Sequence, residues 1–472
     1  MASVTFYGAV EGVTGSLYLL ETDESRIVLD CGLFQGGRKE EEANLEPLPF
    51  DPVSIDAVVI SHAHLDHSGR IPLLVKAGYN GVLHMTWPTC ELIDVLLKDA
   101  ASLQERDAEW ENRRRRRAGK DDIEPLYTTE DVLEALTYCV GVDYYKDVQI
   151  TPDVRVRFLD AGHILGSSIV ELYITEAGIE KKLVFSGDLG NSQAALLRNP
   201  DIVKSADVLM MESTYGDRDH RSMEETLQEF EDVIEDASKN GGNILIPSFA
   251  VGRTQEIIFR LGELYQQGKL RHQVAYLDSP MAISVTEIYH RYSDVYNKED
   301  LDTIEHPTVP SKGRHKSLHT FLPILRYSCT TDESMALNRV ESGMIVIAGS
   351  GMCNGGRIRH HLKHNLWRKN AHVIFVGFQA NGTPGRAIID GAPTFKVAGE
   401  EVVVRAQIHT MGGFSAHASH TQLLEWLDHF TEKKPRVYLV HGEEDAKQIL
   451  RKAARERGWD AEIPALGDVM HF

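Results

Sequence analysis

Four metal-capable side chains fall within six residues of the chain, in the segment "SHAHLDHSGR" at positions 61–70. The segment follows "DAVVI", an apolar run that is typical of a buried β-strand. Residues two apart on an extended segment point the same way, so His62 and His64 can share one metal ion. Asp66 and His67 follow where the chain turns toward a helix, and they can reach a second ion nearby. A lone histidine beside a strand is usually structural, but this density predicts a dinuclear metal site.

Two metals need further ligands, which should be His, Asp or Glu at strand ends or at glycine-flanked turns. His163 in "DAGHILGS", Asp188 in "FSGDLG" and His441 in "YLVHGEE" meet this condition. A carboxylate can also bridge two cations. The predicted ligand sets are His62, His64, His163 and Asp188 for one metal, and Asp66, His67, Asp188 and His441 for the other.

Short Val-, Ile- and Leu-rich runs recur along the chain, and each ends in a polar residue, as in "RIVLD", "KKLVFSGD", "DVLMMES" and "RVYLVHG". Near-continuous apolar strands are buried on both faces, which predicts α/β architecture with sheets covered by helices. A chain of 472 residues is too long for one ordinary core. A new strand–helix alternation begins near Met211 and ends near Ile389. We therefore predict a first domain at 1–210, an inserted α/β domain at 211–389 and a return to the first domain at 390–472.

The formal net charge of −20 argues against a polyanionic partner when it is taken alone. Residues 342–389, however, contain no Asp or Glu, whereas the chain-wide frequency of 70 in 472 would place about seven there. The alternative to an anion-binding surface is a solvated helix. Two glycine-rich turns in this window, "GSGMCNGGR" and "GFQANGTPGR", favour phosphate binding through backbone N–H groups. The predicted phosphate-binding residues are Ser350, Arg357, Gln379, Thr383 and Arg386.

A second basic cluster, "RRRRR" at positions 113–117, is predicted to pair locally with neighbouring acids on an exposed helix. The five cysteines are scattered and form no CxxC pair, which favours reduced thiols in a cytoplasmic protein. No apolar run is long enough to span a membrane, and the N-terminus does not read as a signal peptide.

The motifs together resemble a known family. "SHAHLDHSGRIP", "GHILGS" and "SGDLG" are similar to the ordered motifs of the metallo-β-lactamase fold, and Asp30 in "LDCG" matches its first motif. "MESTYGDR", "GFSAH" and "LVHGE" resemble the additional motifs of the β-CASP group, the RNA- and DNA-processing branch that includes ribonuclease J. The resemblance covers essentially the whole chain. It implies an αββα sandwich with an inserted β-CASP domain and two zinc ions per chain, with Mn²⁺ as an alternative metal.

The resemblance also implies residue roles. Asp188 would bridge the metals, whose bridging hydroxide would attack the scissile phosphorus. His417 in "GFSAH" would be the general acid, although a structural histidine at a helix N-terminus is the alternative. Glu212 would orient His417. Asp66 would be both a metal ligand and a catalytic residue. Asp30 would orient the histidine loop without binding metal.

The predicted function is a metal-dependent ribonuclease that acts on single-stranded RNA. A small-molecule thioester or lactone hydrolase and a non-catalytic RNA-binding subunit remain alternatives. The sequence leaves open endonuclease against 5′→3′ exonuclease action, RNA against DNA, and a monomer against a homodimer.

Overall fold

The computed structural model describes residues 1–271, 274–306, 317–377, 379–380, 382–397 and 399–472, without the side chains of residues 38 and 39. The described chain divides into two compact units. The first unit comprises Met1–Ser192, Asn199–Asp219 and His417–Phe472, and the second comprises Gln193–Arg198 and His220–Ala416.

The strands of the described residues, in chain order, are β1 Ser3–Phe6, β2 Leu17–Glu21, β3 Arg26–Cys31, β4 Ala57–Val59, β5 Val82–Thr86, β6 Cys139–Val142, β7 Val148–Thr151, β8 Val154–Asp160, β9 Ser168–Glu176, β10 Ile179–Phe185, β11 Val208–Glu212, β12 Ile244–Pro247, β13 Val274–Leu277, β14 Leu325–Tyr327, β15 Met344–Ala348, β16 His372–Phe375, β17 Thr394–Val397, β18 Glu400–Val403, β19 Gln407–Thr410, β20 Arg436–Val440, β21 Ala461–Glu462 and β22 Val469–His471.

The α-helices are α1 Arg38–Ala43, α2 Leu65–Ser68, α3 Ile71–Lys76, α4 Trp87–Arg117, α5 Thr129–Leu136, α6 Met223–Asn240, α7 Arg253–Gln266, α8 Pro280–Arg291, α9 Lys298–Glu305, α10 Leu318–Phe321, α11 Thr331–Leu337, α12 Ile358–Asn365, α13 Pro384–Ile389, α14 His420–Leu427 and α15 Glu444–Glu456. Short 3₁₀ turns lie at Pro52–Ser54, Ser293–Val295 and Gly412–Phe414.

Two seven-stranded sheets form the first unit, in the orders β22-β1-β2-β3-β4-β5-β6 and β21-β20-β11-β10-β9-β8-β7. One apolar core contains residues from both sheets, such as Phe6 and Tyr18 from the first and Phe158 and Phe185 from the second. Sheet faces rich in apolar side chains are stable only when they are covered, so the two sheets bury these faces against each other.

Helices cover the outer faces of this sandwich. α14 and α15 pack on the second sheet, where Leu423 and Leu450 join Val184 and Leu439 in a second core. On the first sheet, α4 lies against β5 and β6. Apolar residues at helical spacing produce this layer, because they place one buried stripe on each helix. The predicted αββα sandwich is confirmed.

The second unit contains a six-stranded parallel sheet in the order β14-β13-β15-β12-β16-β19 and a separate hairpin, β17-β18. β12 and β15 are buried along their whole length, as expected for strands inside a parallel sheet. On one face, α12 contributes Ile358 and Leu362 to a core shared with Leu245 and Val346. The inserted α/β domain is also confirmed.

The main segment of the second unit, His220–Ala416, begins and ends later than the sequence-based boundaries at 211 and 390, and the short segment Gln193–Arg198 also belongs to this unit. β11 pairs with β10 and β20, so it lies wholly in the first unit. β19 pairs with β16, so the second unit continues to Ala416. An apolar run predicts a strand but does not say which sheet the strand joins, and sheet membership sets these limits. Among the described residues, no helix has the length and apolar character needed to cross a membrane.

Candidate metal centre

The predicted ligands and their neighbours all lie in the first unit, at strand ends. His62 and His64 follow β4, and Asp66 and His67 lie in the short helix α2 that begins directly after His64. His163 lies in the turn between β8 and β9. The remaining residues of the site follow or end the neighbouring strands of the second sheet: Asp188 after β10, Glu212 at the end of β11 and His441 after β20.

The first cluster joins three imidazoles and one carboxylate. Nδ1 of His64 lies 3.2 Å from Nε2 of His62 and 3.1 Å from Nε2 of His163. Oδ2 of Asp188 is 3.5 Å from the same Nε2 atom of His62 and 3.5 Å from that of His163. These four donor atoms can therefore face one ion.

The second cluster lies on the other side of the Asp188 carboxylate. Nε2 of His67 is 3.1 Å from Nε2 of His441, which lies 3.5 Å from Oδ2 of Asp66. Oδ1 of Asp188 is 3.3 Å from Nε2 of His67. The two oxygens of Asp188 thus face different clusters, as a bridging carboxylate requires.

The donor set fits divalent cations. Ligands held at about 2.0–2.1 Å around a tetrahedral ion lie roughly 3.3 Å apart, close to the nitrogen separations seen here. Histidine nitrogen and carboxylate oxygen are also the donors that Zn²⁺ accepts. Among the described residues, Oδ1 of Asp188 is buried and accepts no hydrogen bond. A buried acceptor without a donor is costly, and a cation would satisfy it.

The protonation states of His62, His64 and Asp188 suit metal binding. Burial lowers the pKa of His62 well below its ordinary value, and it lowers the pKa of His64 as well. Neutral imidazoles carry the lone pair that a metal needs. Burial raises the pKa of Asp188, but the facing imidazoles of His441 and His67 outweigh this effect and hold it well below its ordinary value. Asp188 is therefore a carboxylate. At His67 burial lowers the pKa, but Asp188 and Asp30 outweigh this effect and raise it well above its ordinary value, so a metal would displace a proton there.

Asp30 supports both clusters through hydrogen bonds, directly to His67 and through Ser61 to His62. Its carboxylate accepts hydrogen bonds from the backbone N–H of Ser61 at 2.7 Å, from the Ser61 hydroxyl at 2.8 Å and from Nδ1 of His67 at 2.7 Å. The Ser61 hydroxyl also lies 3.1 Å from Nδ1 of His62. Asp30 is fully buried and has a left-handed φ of 55°. Such strain in a non-glycine residue is most often found at functional sites.

His417 and Glu212 lie together at the edge of the first cluster. Nδ1 of His417 is 3.4 Å from Oε1 of Glu212, and the His417 ring centroid is 4.4 Å from that of His163. Burial lowers the pKa of His417, but Glu212 and Asp188 raise it by more, to about 9. Glu212 is held by the backbone N–H groups of Leu189 at 2.6 Å and Thr214 at 3.3 Å.

The residues predicted to bind phosphate lie in the second unit, and several already have partners. Arg357 donates to Asp278 at 2.7 Å and to the carbonyl of Ser328 at 3.0 Å. The amide of Gln379 is buried and donates to the carbonyls of Gly351 and Gly377. These contacts hold the loops together, so both side chains have a structural task whatever they bind.

The other three have different surroundings. Thr383 caps α13 by accepting the N–H of Arg386 at 3.3 Å, and the Ser350 hydroxyl bonds within its own turn to Gly355. Arg386 is 42% exposed and pairs with Asp390 at 2.9 Å. Phe378 and Asn381 of the second glycine-rich loop lie outside the described residues.

The acid-free window is less basic in the fold than in the sequence. Acids from outside the window pair with three of its cations: Asp278 with Arg357, Glu400 with Lys363 and Asp390 with Arg386. The "RRRRR" cluster ends α4, and the predicted local pairing is confirmed there, with Arg113 contacting Glu109, Arg114 contacting Glu111 and Arg116 contacting Asp122.

Two residues that support the ligands carry no signal in the sequence by themselves. Ser61 links Asp30 to His62, and the Thr214 hydroxyl lies 3.1 Å from Nδ1 of His441. Both sit beside a motif residue at a strand exit. Their roles can be assigned only from the structure, which shows the ring nitrogens that their hydroxyls contact.

The αββα sandwich and a His/Asp donor set divided by one carboxylate define the class of this protein, a metallo-hydrolase. The Metallo-beta-lactamase superfamily matches residues 10–236, the Beta-Casp domain matches residues 254–388, and the Zn-dependent metallo-hydrolase RNA specificity domain matches residues 401–464. The chain belongs to the Beta-Casp group of the metallo-beta-lactamase superfamily, and the resemblance drawn from its motifs is confirmed.

Named relatives cover nearly all of the chain. Ribonuclease TTHA0252 of Thermus thermophilus is 39% identical over 463 residues, which span 98% of each chain. Transcription termination factor FttA of Methanocaldococcus jannaschii is 31% identical over 93% of this chain and 67% of its own length. A crystal structure of a protein of unknown function from Enterococcus faecalis V583 shares the fold, with a TM-score of 0.55, 13% identity and 99% coverage of both chains.

Proposed function

We propose that this protein is a metal-dependent ribonuclease that hydrolyses phosphodiester bonds of single-stranded RNA. The observation that carries the proposal is the position of Asp188, whose two carboxylate oxygens face two separate sets of His and Asp donors. A paired centre of this kind suits in-line displacement at phosphorus, where both the attacking and the leaving oxygen need stabilisation.

The proposed metals are two zinc ions per chain, with Mn²⁺ as the alternative. His62, His64, His163 and Asp188 would hold one ion, and Asp66, His67, His441 and Asp188 the other. When bound, the two cations supply Lewis acidity toward the phosphodiester and lower the pKa of water to near neutrality. The all-His/Asp donor set without cysteine is compatible with either metal.

His417 is the proposed proton donor to the leaving oxygen. Its Nδ1 faces Glu212, so the proton delivered is the one on Nε2. Glu212 orients the ring, because its carboxylate is itself fixed by two backbone N–H groups. Its negative charge favours the protonated form of His417. Removal of His417 should therefore slow the reaction without removing metal. Asp30 takes no part in bond breaking and positions His67 and, through Ser61, His62.

RNA is proposed as the polymer on two grounds. A relative that is 39% identical is named a ribonuclease, and an RNA specificity domain matches residues 401–464. The second unit also supplies a 48-residue window without acids, in which Arg386 remains 42% exposed. A segment without acids of its own lessens repulsion of a phosphate backbone, and Arg386 would exchange its partner Asp390 for phosphate.

The test is cleavage of a 5′-labelled single-stranded RNA by protein reconstituted with Zn²⁺ or with Mn²⁺. We expect product bands that disappear with a chelator and in the Asp188→Ala variant. A ladder extending from internal sites indicates endonuclease action, whereas release of the labelled nucleotide indicates 5′→3′ exonuclease action. Hydrolysis of a thioester or lactone by the metal-loaded protein, with RNA left intact, would refute the proposal.

A further inference from the structure

Phe249 is an exposed aromatic ring at the carboxyl edge of the parallel sheet in the second unit. It follows β12 and is 42% exposed. β12 lies between β15 and β16, whose ends lead into the loops that begin at Gly349 and Gly377. The ring therefore lies between the two glycine-rich loops of the acid-free window.

Both loops border this ring, and the first makes room for it, whereas a Cβ atom at Gly377 would only reach ordinary van der Waals contact. A Cβ atom added to Gly351 would lie 2.8 Å from the Cδ2 and Cε2 atoms of Phe249, and one added to Gly377 would lie 3.5 Å from Cε2. Neither glycine has a left-handed φ. Glycine at position 351 is therefore needed to leave space for the ring, because the backbone conformation there does not itself require glycine. The Cδ2–Cε2 edge of the ring faces the loops, and Phe249 as a whole is 42% exposed.

The support beneath the ring is fixed. The Gln379 amide donates to the carbonyl of Gly351 at 2.9 Å and to that of Gly377 at 3.2 Å, so one side chain ties together the two glycines that the ring contacts. The Thr254 hydroxyl donates to the carbonyl of Phe249 itself at 2.7 Å. A ring held this way is presented with little loss of conformational entropy on binding.

We propose that Phe249 is a stacking platform for one unpaired nucleobase of a single-stranded RNA. The proposal rests on the proposed function, to which it adds a base-binding position. Its occupant follows from the surroundings: a rigid π-face suits a flat aromatic ligand, and loops without acidic residues tolerate the phosphates on either side of a base. Stacking of this kind accepts any base, so the platform adds affinity without sequence preference.

The test measures RNA affinity of the metal-loaded full chain by fluorescence anisotropy. The probe is a cleavage-resistant phosphorothioate oligouridylate of about ten nucleotides, in which one abasic site is moved along the strand. We expect one position at which the abasic site weakens binding by about 5- to 100-fold. Phe249→Ala should bind the unmodified strand as weakly as the wild type binds the strand with the abasic site at that position. In this variant the same abasic site should lower the affinity no further.

Three further variants sharpen this comparison. Phe249→Tyr keeps a π-face and should retain the abasic-site pattern, whereas Phe249→Leu keeps apolar volume without a π-face and should lose it. Phe249→Leu also serves if Phe249→Ala does not fold. Trp110→Ala removes another exposed aromatic side chain, which lies on α4 outside the acid-free window and stacks with Arg114, and should leave the pattern unchanged.

The proposal is overturned if no abasic position matters, or if the pattern is the same in wild type and Phe249→Ala. It is equally overturned if Phe249→Ala changes the oligomeric state and leaves RNA affinity unaltered, since the ring would then contact a second copy of the chain. Cleavage of unmodified RNA is measured in parallel. If RNA is cleaved but the abasic-site pattern does not depend on Phe249, only the platform is refuted. If the pattern depends on Phe249 but RNA is not cleaved, only the nuclease proposal is refuted.

Discussion

Nδ1 of His67 lies 2.7 Å from Oδ2 of Asp30, a fully buried carboxylate that also binds the backbone and hydroxyl of Ser61. The contact fixes the His67 ring so that its Nε2 atom points at His441 and Asp188. A carboxylate behind a metal-binding imidazole sets both its tautomer and its orientation. Asp30 therefore determines how well the second cluster is formed before any metal arrives.

Replacing Asp30 with Asn should weaken metal binding by about 10- to 100-fold, because the amide can no longer accept hydrogen bonds at both oxygens. The measurement is competition with a metal-sensitive dye. Asp153→Asn is the matched control, since Asp153 is a buried carboxylate of the same unit that bonds to Ser25 and Thr151. Equal affinities in wild type and Asp30→Asn would show that Asp30 does not position the ligands.

Removal of single ligands should separate the two metals. Elemental analysis should find two metal ions per chain in the wild type and about one in His163→Ala, because His163 faces only the first cluster. Asp188→Ala should fall to about one or fewer, since its oxygens face both clusters. His84→Ala removes a buried histidine on β5 and should keep two ions. Full occupancy in Asp188→Ala would contradict the bridging assignment.

Metal removal should also lower thermal stability. The clusters join the ends of strands from both sheets of the first unit, so a ligand that binds the folded chain alone stabilises it in proportion to the logarithm of its concentration. At a free concentration about 100 times the Kd, this amounts to about 2.7 kcal/mol. A chelator should therefore lower Tm, and added Zn²⁺ should restore it. An unchanged Tm after addition of the chelator would exclude tight metal binding.

His417→Ala should reduce RNA cleavage by about 10²- to 10⁴-fold while leaving the metal content unchanged. His420→Ala is the control, because His420 lies three residues away and bonds to the carbonyl of Gly216. A His417 that donates the proton must be protonated, so we expect activity to be present below its pKa and lost as the pH rises through it. The raised pKa of about 9 sets the upper limit, and bound cations would lower it. In Glu212→Gln the basic limb of the pH–rate profile should shift to lower pH, because the carboxylate that raises the pKa of His417 is gone, and an unshifted limb would contradict this role of Glu212.

Asp278 should govern acid stability of the second unit. Burial raises the pKa of Asp278, but hydrogen bonds from His361 and Ser334 outweigh it and lower the pKa to about 2. A depressed carboxyl pKa stabilises the fold above the unfolded-state value near 4 and loses this contribution as the pH falls toward 2. The effect is on the order of 1–2 kcal/mol. Urea unfolding of Asp278→Asn should show a flatter pH dependence between 4 and 2 than wild type, and an identical slope would refute the assignment.

Arg357 and Arg386 should behave differently in RNA binding. Arg386→Ala should make the salt dependence shallower by about 0.7 in log–log slope, as expected for one lost phosphate contact on a single strand. Arg357→Ala should chiefly lower stability, because its guanidinium is bonded to Asp278 and to the carbonyl of Ser328. Titrations of a labelled RNA at several salt concentrations distinguish the two. An unchanged slope in Arg386→Ala would remove it from the interface.

The sequence was sufficient for those features that depend on local spacing. Two histidines on one extended segment, with Asp66 and His67 in the following turn, already predicted two metals, and apolar runs predicted the layers around them. Strand ends gather at one edge of a sheet, so His441, far along the chain, could be assigned to the same place as Asp188. The structure brings these side chains together as expected, because backbone geometry fixes side-chain direction over a few residues.

Only the tertiary structure decided which partners each charged group meets. The sequence predicts that Arg357 and Gln379 bind phosphate, but it could not show that Arg357 also donates to Asp278 or that Gln379 ties two loops together. It also placed Phe249 on Gly351, a contact between residues a hundred positions apart. Electrostatic pairing and close packing depend on distances between segments remote in sequence, and those distances are set only when the sheets assemble.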